Sequence, residues 1–89
     1  MNFGDAYQAL RFAKQPIARK GWNGKGMFIY MVEANAYPAT SRIAKTHFGE
    51  DALVPYGAYA ALKNADGSVY PWTPSQGDLF ADDWEIIVP

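Results

Sequence analysis

Six apolar residues follow one another without interruption at Met27-Phe28-Ile29-Tyr30-Met31-Val32. The β-branched and aromatic content of this run marks it as a strand. A strand with one wet face alternates apolar and polar residues. This one does not, so both of its faces are expected to be covered. The chain has 89 residues, enough for one domain spanning 1–89 and too few for two. Its N-terminal helix can cover one face of the strand, and covering the other calls for a partner subunit. An aromatic share of 16% argues against disorder, and the absence of cysteine excludes a disulfide framework or a Cys-ligated zinc site. No apolar run approaches the ~18 residues of a membrane span. The opening Met1-Asn2-Phe3-Gly4-Asp5 lacks the layout of a signal peptide, which makes the cytosol the expected location.

The rest of the chain supplies the partners of that strand. Asn2 reads as a helix N-cap with Asp5 as its capping-box partner. Phe3, Ala6, Tyr7, Leu10 and Ala13 recur at helical spacing, and Pro16 stops the helix near Lys14. Ile17 to Lys20 reads as a short strand leading into the glycine-rich loop Gly21-Trp22-Asn23-Gly24-Lys25-Gly26. Between 34 and 55 the pattern is weak: Tyr37-Pro38 is extended, Ser41 to Phe48 suits a short helix, and Gly49-Glu50-Asp51 a turn. Ala58 to Lys63 and Ser68 to Tyr70 read as two strands joined by the turn Asn64-Ala65-Asp66-Gly67. Thr73 as N-cap, Pro74 at N1 and Gln76 at N3 predict a short helix to about Ala81, and Trp84 to Val88 a final strand. The expected fold is α+β: a small antiparallel sheet of four to five strands packed on the N-terminal helix, with a short second helix near the C-terminus.

The formal net charge of −1 hides a division of charge. Residues 1–32 hold five cations against Asp5, residues 33–63 balance, and residues 64–89 hold five acids and no Lys or Arg. A non-specific DNA or RNA binder is usually basic throughout, so the composition excludes that class and leaves a local anion site in the first third. Backbone N–H groups in the glycine-rich loop can form an anion-binding concavity, with Lys25 inside it and Arg19 and Lys20 leading in. Arg19 and Lys20 point to opposite faces of an extended strand, so at most one of them joins Lys25. Trp22 can stack on a base and Asn23 can bond a base edge. A second segment, Trp72-Thr73-Pro74-Ser75-Gln76, places a tryptophan before a helix start whose free N–H groups suit phosphate, with Asp78 able to accept from ribose hydroxyls. Each segment also has a plainer reading, a hairpin loop or a capped helix whose tryptophan is core. His47, the one histidine, lacks a sequence-local partner for nucleophilic chemistry, and no metal-ligand spacing is present. Asp82-Asp83 and Glu85 read as solvated charges at a junction.

Taken together, the opening Met1 to Ala6, the block Arg19 to Phe28, the Ala65-Asp66-Gly67 turn, Pro71 to Gln76 and Asp82-Asp83-Trp84-Glu85-Ile86 resemble one family over nearly the whole chain. It is the Thoeris anti-defence protein two-like family of small phage and prophage proteins. Residues 34–60 depart from the family pattern, as does Gly77, where a larger residue is expected. The resemblance implies a sponge and not an enzyme. Such a protein binds a cyclic ADP-ribose isomer made by TIR-domain enzymes and holds it intact in the host bacterial cytoplasm. Some members also take cyclic di- or trinucleotides of the related CBASS defence. It further implies a homo-oligomer, typically a tetramer, with pockets between subunits, no cofactor and no membrane partner. In that frame Trp22 and Trp72 would stack on adenine. Arg19, Lys20, Lys25 and the N–H groups near Thr73 to Ser75 would neutralise the pyrophosphate, with Gly24 and Pro74 among the ligand-binding residues. Asn23, Ser75, Gln76 and Asp78 would bond the riboses. The alternatives are a protein-binding inhibitor of a host defence protein and a signal-cleaving enzyme.

Overall fold

The structure, a computed structural model, describes residues 1–22 and 25–88. Helix α1 spans Phe3–Phe12, and its first turn is closed by the Asn2 side chain, which accepts from the Asp5 N–H at 2.8 Å. The helix ends sooner than its apolar spacing predicts. Ala13 caps it, and Lys14 takes the left-handed conformation (φ 56°) that turns the chain toward Pro16.

Five strands form one antiparallel sheet: β1 (Ile17–Arg19), β2 (Phe28–Val32), β5 (Tyr59–Lys63), β6 (Val69–Pro71) and β7 (Trp84–Ile86), in the order β6-β5-β2-β1-β7. Ile17 lies opposite Ile29 on one side and Ile86 on the other. Helix α1 packs across β1, β2 and β7, and the core between them is Ala6, Leu10, Ile17, Ile29 and Trp84. Phe3, Met31, Leu62 and Trp72 pack around its edge. Full burial of each large apolar side chain stabilises the fold by roughly 1.5–3 kcal/mol. Alternation places Ala18, Phe28, Tyr30, Ala61 and Lys63 on the opposite face. There the two alanines are buried, while Phe28 and Tyr30 are half-buried and lie 6.0 Å apart along the sheet. The apolar strand β2 is thus sealed by α1 on one face and partly shielded by its own aromatic rings on the other.

The weakly patterned middle forms an arm. Strands β3 (Asn35–Pro38) and β4 (Leu53–Tyr56) make a separate two-stranded ribbon, and α2 (Arg42–Phe48), capped by Ser41, lies between them in the chain. The helix and the extended Tyr37-Pro38 segment match the sequence expectation, whereas β4 was not anticipated. No residue of α2 is buried. The molecule measures 46 × 27 × 26 Å.

Near the C-terminus, α3 (Gln76–Leu79) is shorter than predicted and starts later. Ser75, not Thr73, is the N-cap, with Asp78 as its capping-box partner. Among the described residues no helix is long and apolar enough to cross a membrane.

Candidate functional site

β1 ends on Arg19, whose position opposite Trp84 of β7 brings its side chain beside the residues that precede that strand. Arg19 Nε donates to Asp83 Oδ1 at 2.9 Å and Nη1 donates to Asp78 Oδ1 at 3.0 Å. The second oxygen of each carboxylate accepts from a backbone N–H: Asp83 Oδ2 from Gly21 at 2.9 Å, and Asp78 Oδ2 from Ser75 at 3.0 Å. The Asp78 N–H donates back to Ser75 Oγ, and Trp84 Nε1 donates to the Asp78 carbonyl at 2.8 Å. Hydrogen bonds from Arg19 and from the Gly21 N–H hold the Asp83 carboxyl below its ordinary value. At Asp78 burial alone would raise the value, but bonds from Ser75 and Arg19 outweigh it and the net shift is downward. The same two partners raise the Arg19 value, so the guanidinium stays charged.

On the flank of this network a cavity of about 250 Å³ is lined by Ala18, Arg19, Lys20, Trp22, Lys25, Gly26, Met27, Phe28, Glu85 and Ile87. Three of the predicted cations and one predicted tryptophan therefore border one space. Lys20 and Lys25 are exposed there, whereas Arg19 is already engaged by two acids. Trp22 is half-buried and packs its edge against Trp84 with ring centres 5.4 Å apart. Trp72 packs on Trp84 from another side at 6.0 Å and on Phe3 at 6.1 Å. The two tryptophans singled out in the sequence thus share a buried third one, whose side chain the apolar character of the last strand foreshadowed.

The second predicted segment lies beside this cavity and does not line it. Trp72 and Pro74 are half-buried, and Thr73, Ser75 and Gln76 are exposed. The N–H of Ser75 is taken by Asp78, so the acid of the capping box fills the place that the sequence suggested for phosphate. Asp78, expected to meet ribose, is buried and turned toward Arg19 and Ser75. Asn23 and Gly24 lie outside the described residues. His47 is exposed on α2 against Phe48. Among the described residues no group of three or more His, Cys, Asp or Glu is placed to hold a metal. Sequence reasoning left Asp83 among the solvated charges, and the structure makes it the main partner of Arg19. The signal was the division of charge itself: a cation of the basic end meets two acids of the acidic end inside one chain.

A family model described as the Thoeris anti-defense 2-like domain matches residues 1–87. The protein named Thoeris anti-defense 2 of Bacillus phage SP01 is 36% identical over 88 residues, which cover 98% of this chain and 94% of that relative.

Proposed function

The chain belongs to the Thoeris anti-defense 2-like family, and from that membership we propose that it binds and sequesters a cyclic ADP-ribose-type signal made by TIR-domain enzymes, without cleaving it. The observation that carries this reading is the cavity that Trp22 lines together with the exposed Lys20 and Lys25. A nucleotide of this class presents a base to stack and a pyrophosphate to neutralise, and the cavity supplies a group for each. Asn23 and Gly24, in the same loop, and Trp72, Thr73, Pro74, Ser75 and Gln76, alongside, are the further contacts we assign to the ligand. Cyclic di- or trinucleotides share the same chemistry and belong to the same proposal.

At about 250 Å³ the cavity is smaller than the ~300–1,000 Å³ of typical ligand pockets, so a second subunit is needed to enclose the ligand. The chain acts in this reading as a homo-oligomer, a tetramer by family resemblance, in the host bacterial cytoplasm. Holding a signal at a Kd near 1 nM corresponds to about −12 kcal/mol, which calls for an enclosed site.

The test is to incubate the protein with the cyclic product of a Thoeris TIR enzyme, remove free nucleotide, denature by heat and identify what is released. Unchanged signal in the supernatant is the expected outcome, and Trp22→Ala lowers the affinity by roughly 1–3 kcal/mol. A cleaved product overturns sequestration in favour of catalysis. No retained nucleotide, together with a stable complex with a host protein, points to direct protein inhibition.

A further inference from the structure

We propose that Arg19 is a positioning residue for this ligand site and does not itself meet the ligand's phosphates. The inference rests on the sequestration reading and adds to it which cation does what. Arg19 lines the cavity together with Lys20 and Lys25, and by charge alone it would be counted as the third phosphate contact. Two of its three nitrogens are turned to acids of this chain. Nε and Nη1 face two carboxylates at 2.9 and 3.0 Å, so the cluster of one guanidinium and two acids carries a net negative charge. Such a cluster repels an anion.

The same two carboxylates give Arg19 its reach. Asp83 links the guanidinium to the Gly21 N–H, which opens the loop carrying Trp22 and Lys25. Asp78 links it to the Ser75 N–H, which follows Trp72 and caps α3. The approach at Gly21 is close: a Cβ there would lie 3.0 Å from Asp83 Oδ2, and the carboxylate would have to give by a few tenths of an ångström. One planar fork therefore sets the relative placement of two segments that approach the ligand from different parts of the chain, and a Lys ammonium has no equivalent geometry. In this arrangement Lys20 and Lys25 supply the charge, and Arg19 supplies the register.

The two roles give opposite results when an acid is removed. Asp83→Asn deletes a negative charge and leaves one acceptor oxygen for two donors, the Arg19 Nε–H and the Gly21 N–H. A phosphate contact would then tighten binding, while a positioning residue loses its hold on the loop. Affinity for the cyclic TIR product is measured by calorimetry for the parent, Asp83→Asn, Arg19→Lys and Gly67→Ala, well below each melting temperature. Gly67, at φ 92° in the turn between β5 and β6, neither lines the cavity nor bonds to Arg19, Asp78 or Asp83, so its replacement lowers stability without touching the network. The expected outcome is a loss of roughly tenfold or more in affinity for both Asp83→Asn and Arg19→Lys, and none for Gly67→Ala. The near-ultraviolet circular dichroism of the Trp22–Trp84 edge contact should change in the first two variants and not in the third. Tighter or unchanged binding by Asp83→Asn, or full binding by Arg19→Lys, overturns the positioning role while sequestration stands. A parent protein that binds no cyclic product overturns sequestration, and the positioning role with it.

Discussion

Asp78 is 9% exposed, yet its carboxyl is held below its ordinary value because two donors converge on it, the Ser75 N–H and the Arg19 guanidinium. Asp83 is held the same way by Arg19 and Gly21. A carboxyl whose value is lower in the folded chain than in the unfolded one favours folding above the unfolded value near ~4, and that contribution is lost as pH falls through the folded value. The melting temperature should therefore stay level from pH 7 to about 5 and fall below about pH 4. Asp83→Asn should show a shallower acid decline in a thermal melt series, and an unchanged slope would remove the pair from the acid response. At this scale the sequence singled out Trp22 and Trp72, because tryptophan beside glycine or proline is a distinctive local pattern, and the structure packs both against Trp84 at the edge of the core. The sequence was not legible for Arg19, since a side chain's partners across 59 and 64 residues of chain are not encoded in its neighbours.

The short helix α3 stands or falls by its cap. Ser75 Oγ accepts from the Asp78 N–H at 3.1 Å, and Asp78 returns the bond to the Ser75 N–H. Replacing an N-cap serine by alanine costs about 0.5–2 kcal/mol. Ser75→Ala should lower stability by that amount in a denaturant titration, and Thr73→Ala by much less. The reverse order would restore Thr73 as the cap. Sequence rules placed the helix two residues early because Thr73-Pro74-Ser75-Gln76 offers two hydroxyl caps, and the local pattern weighs Pro at N1 above Asp at N3. α1, the α2 segment and the Asn64 to Gly67 turn were legible, because caps, apolar spacing and turn residues are local signals. β4 was hidden by Pro55, which normally argues against a strand. The ribbon tolerates it because β3 and β4 pair only with each other, leaving each with an edge where no N–H is needed.

A chain of this length packed into one compact body has a radius of gyration of about 12 Å. This one has 15.8 Å, because the arm of β3, α2 and β4 stands away from the main sheet. A two-stranded ribbon is marginal alone, and the arm exposes Ile43 (83%), Leu53 (61%), Phe48 and Tyr56. Two of these lie on α2 and two on β4, and exposed apolar groups gathered in one part of a fold are a candidate interaction surface. Light scattering at micromolar concentration should give a mass above one chain, and Ile43→Glu should lower it while leaving the circular dichroism of the fold intact. A parent that scatters as a monomer would remove both the oligomer and the shared pocket. The sequence pointed to a partner through the apolar β2, whereas the larger uncovered apolar surface belongs to the region it described least well.

The strand order also governs when the protein can take shape. β1 is held between β2 and β7, and the innermost large side chain, Trp84, arrives with β7. Pairing Ile17 with Ile86 closes a loop of about three quarters of the chain, the kind of distant contact that slows folding. While a ribosome is still making residues 70–80, Ile17 and Ile29 have no Trp84 to cover them, so the nascent chain waits unfinished. The amount of folded protein in the cell then rises in step with completed chains and lags behind translation by the time that last strand needs to dock.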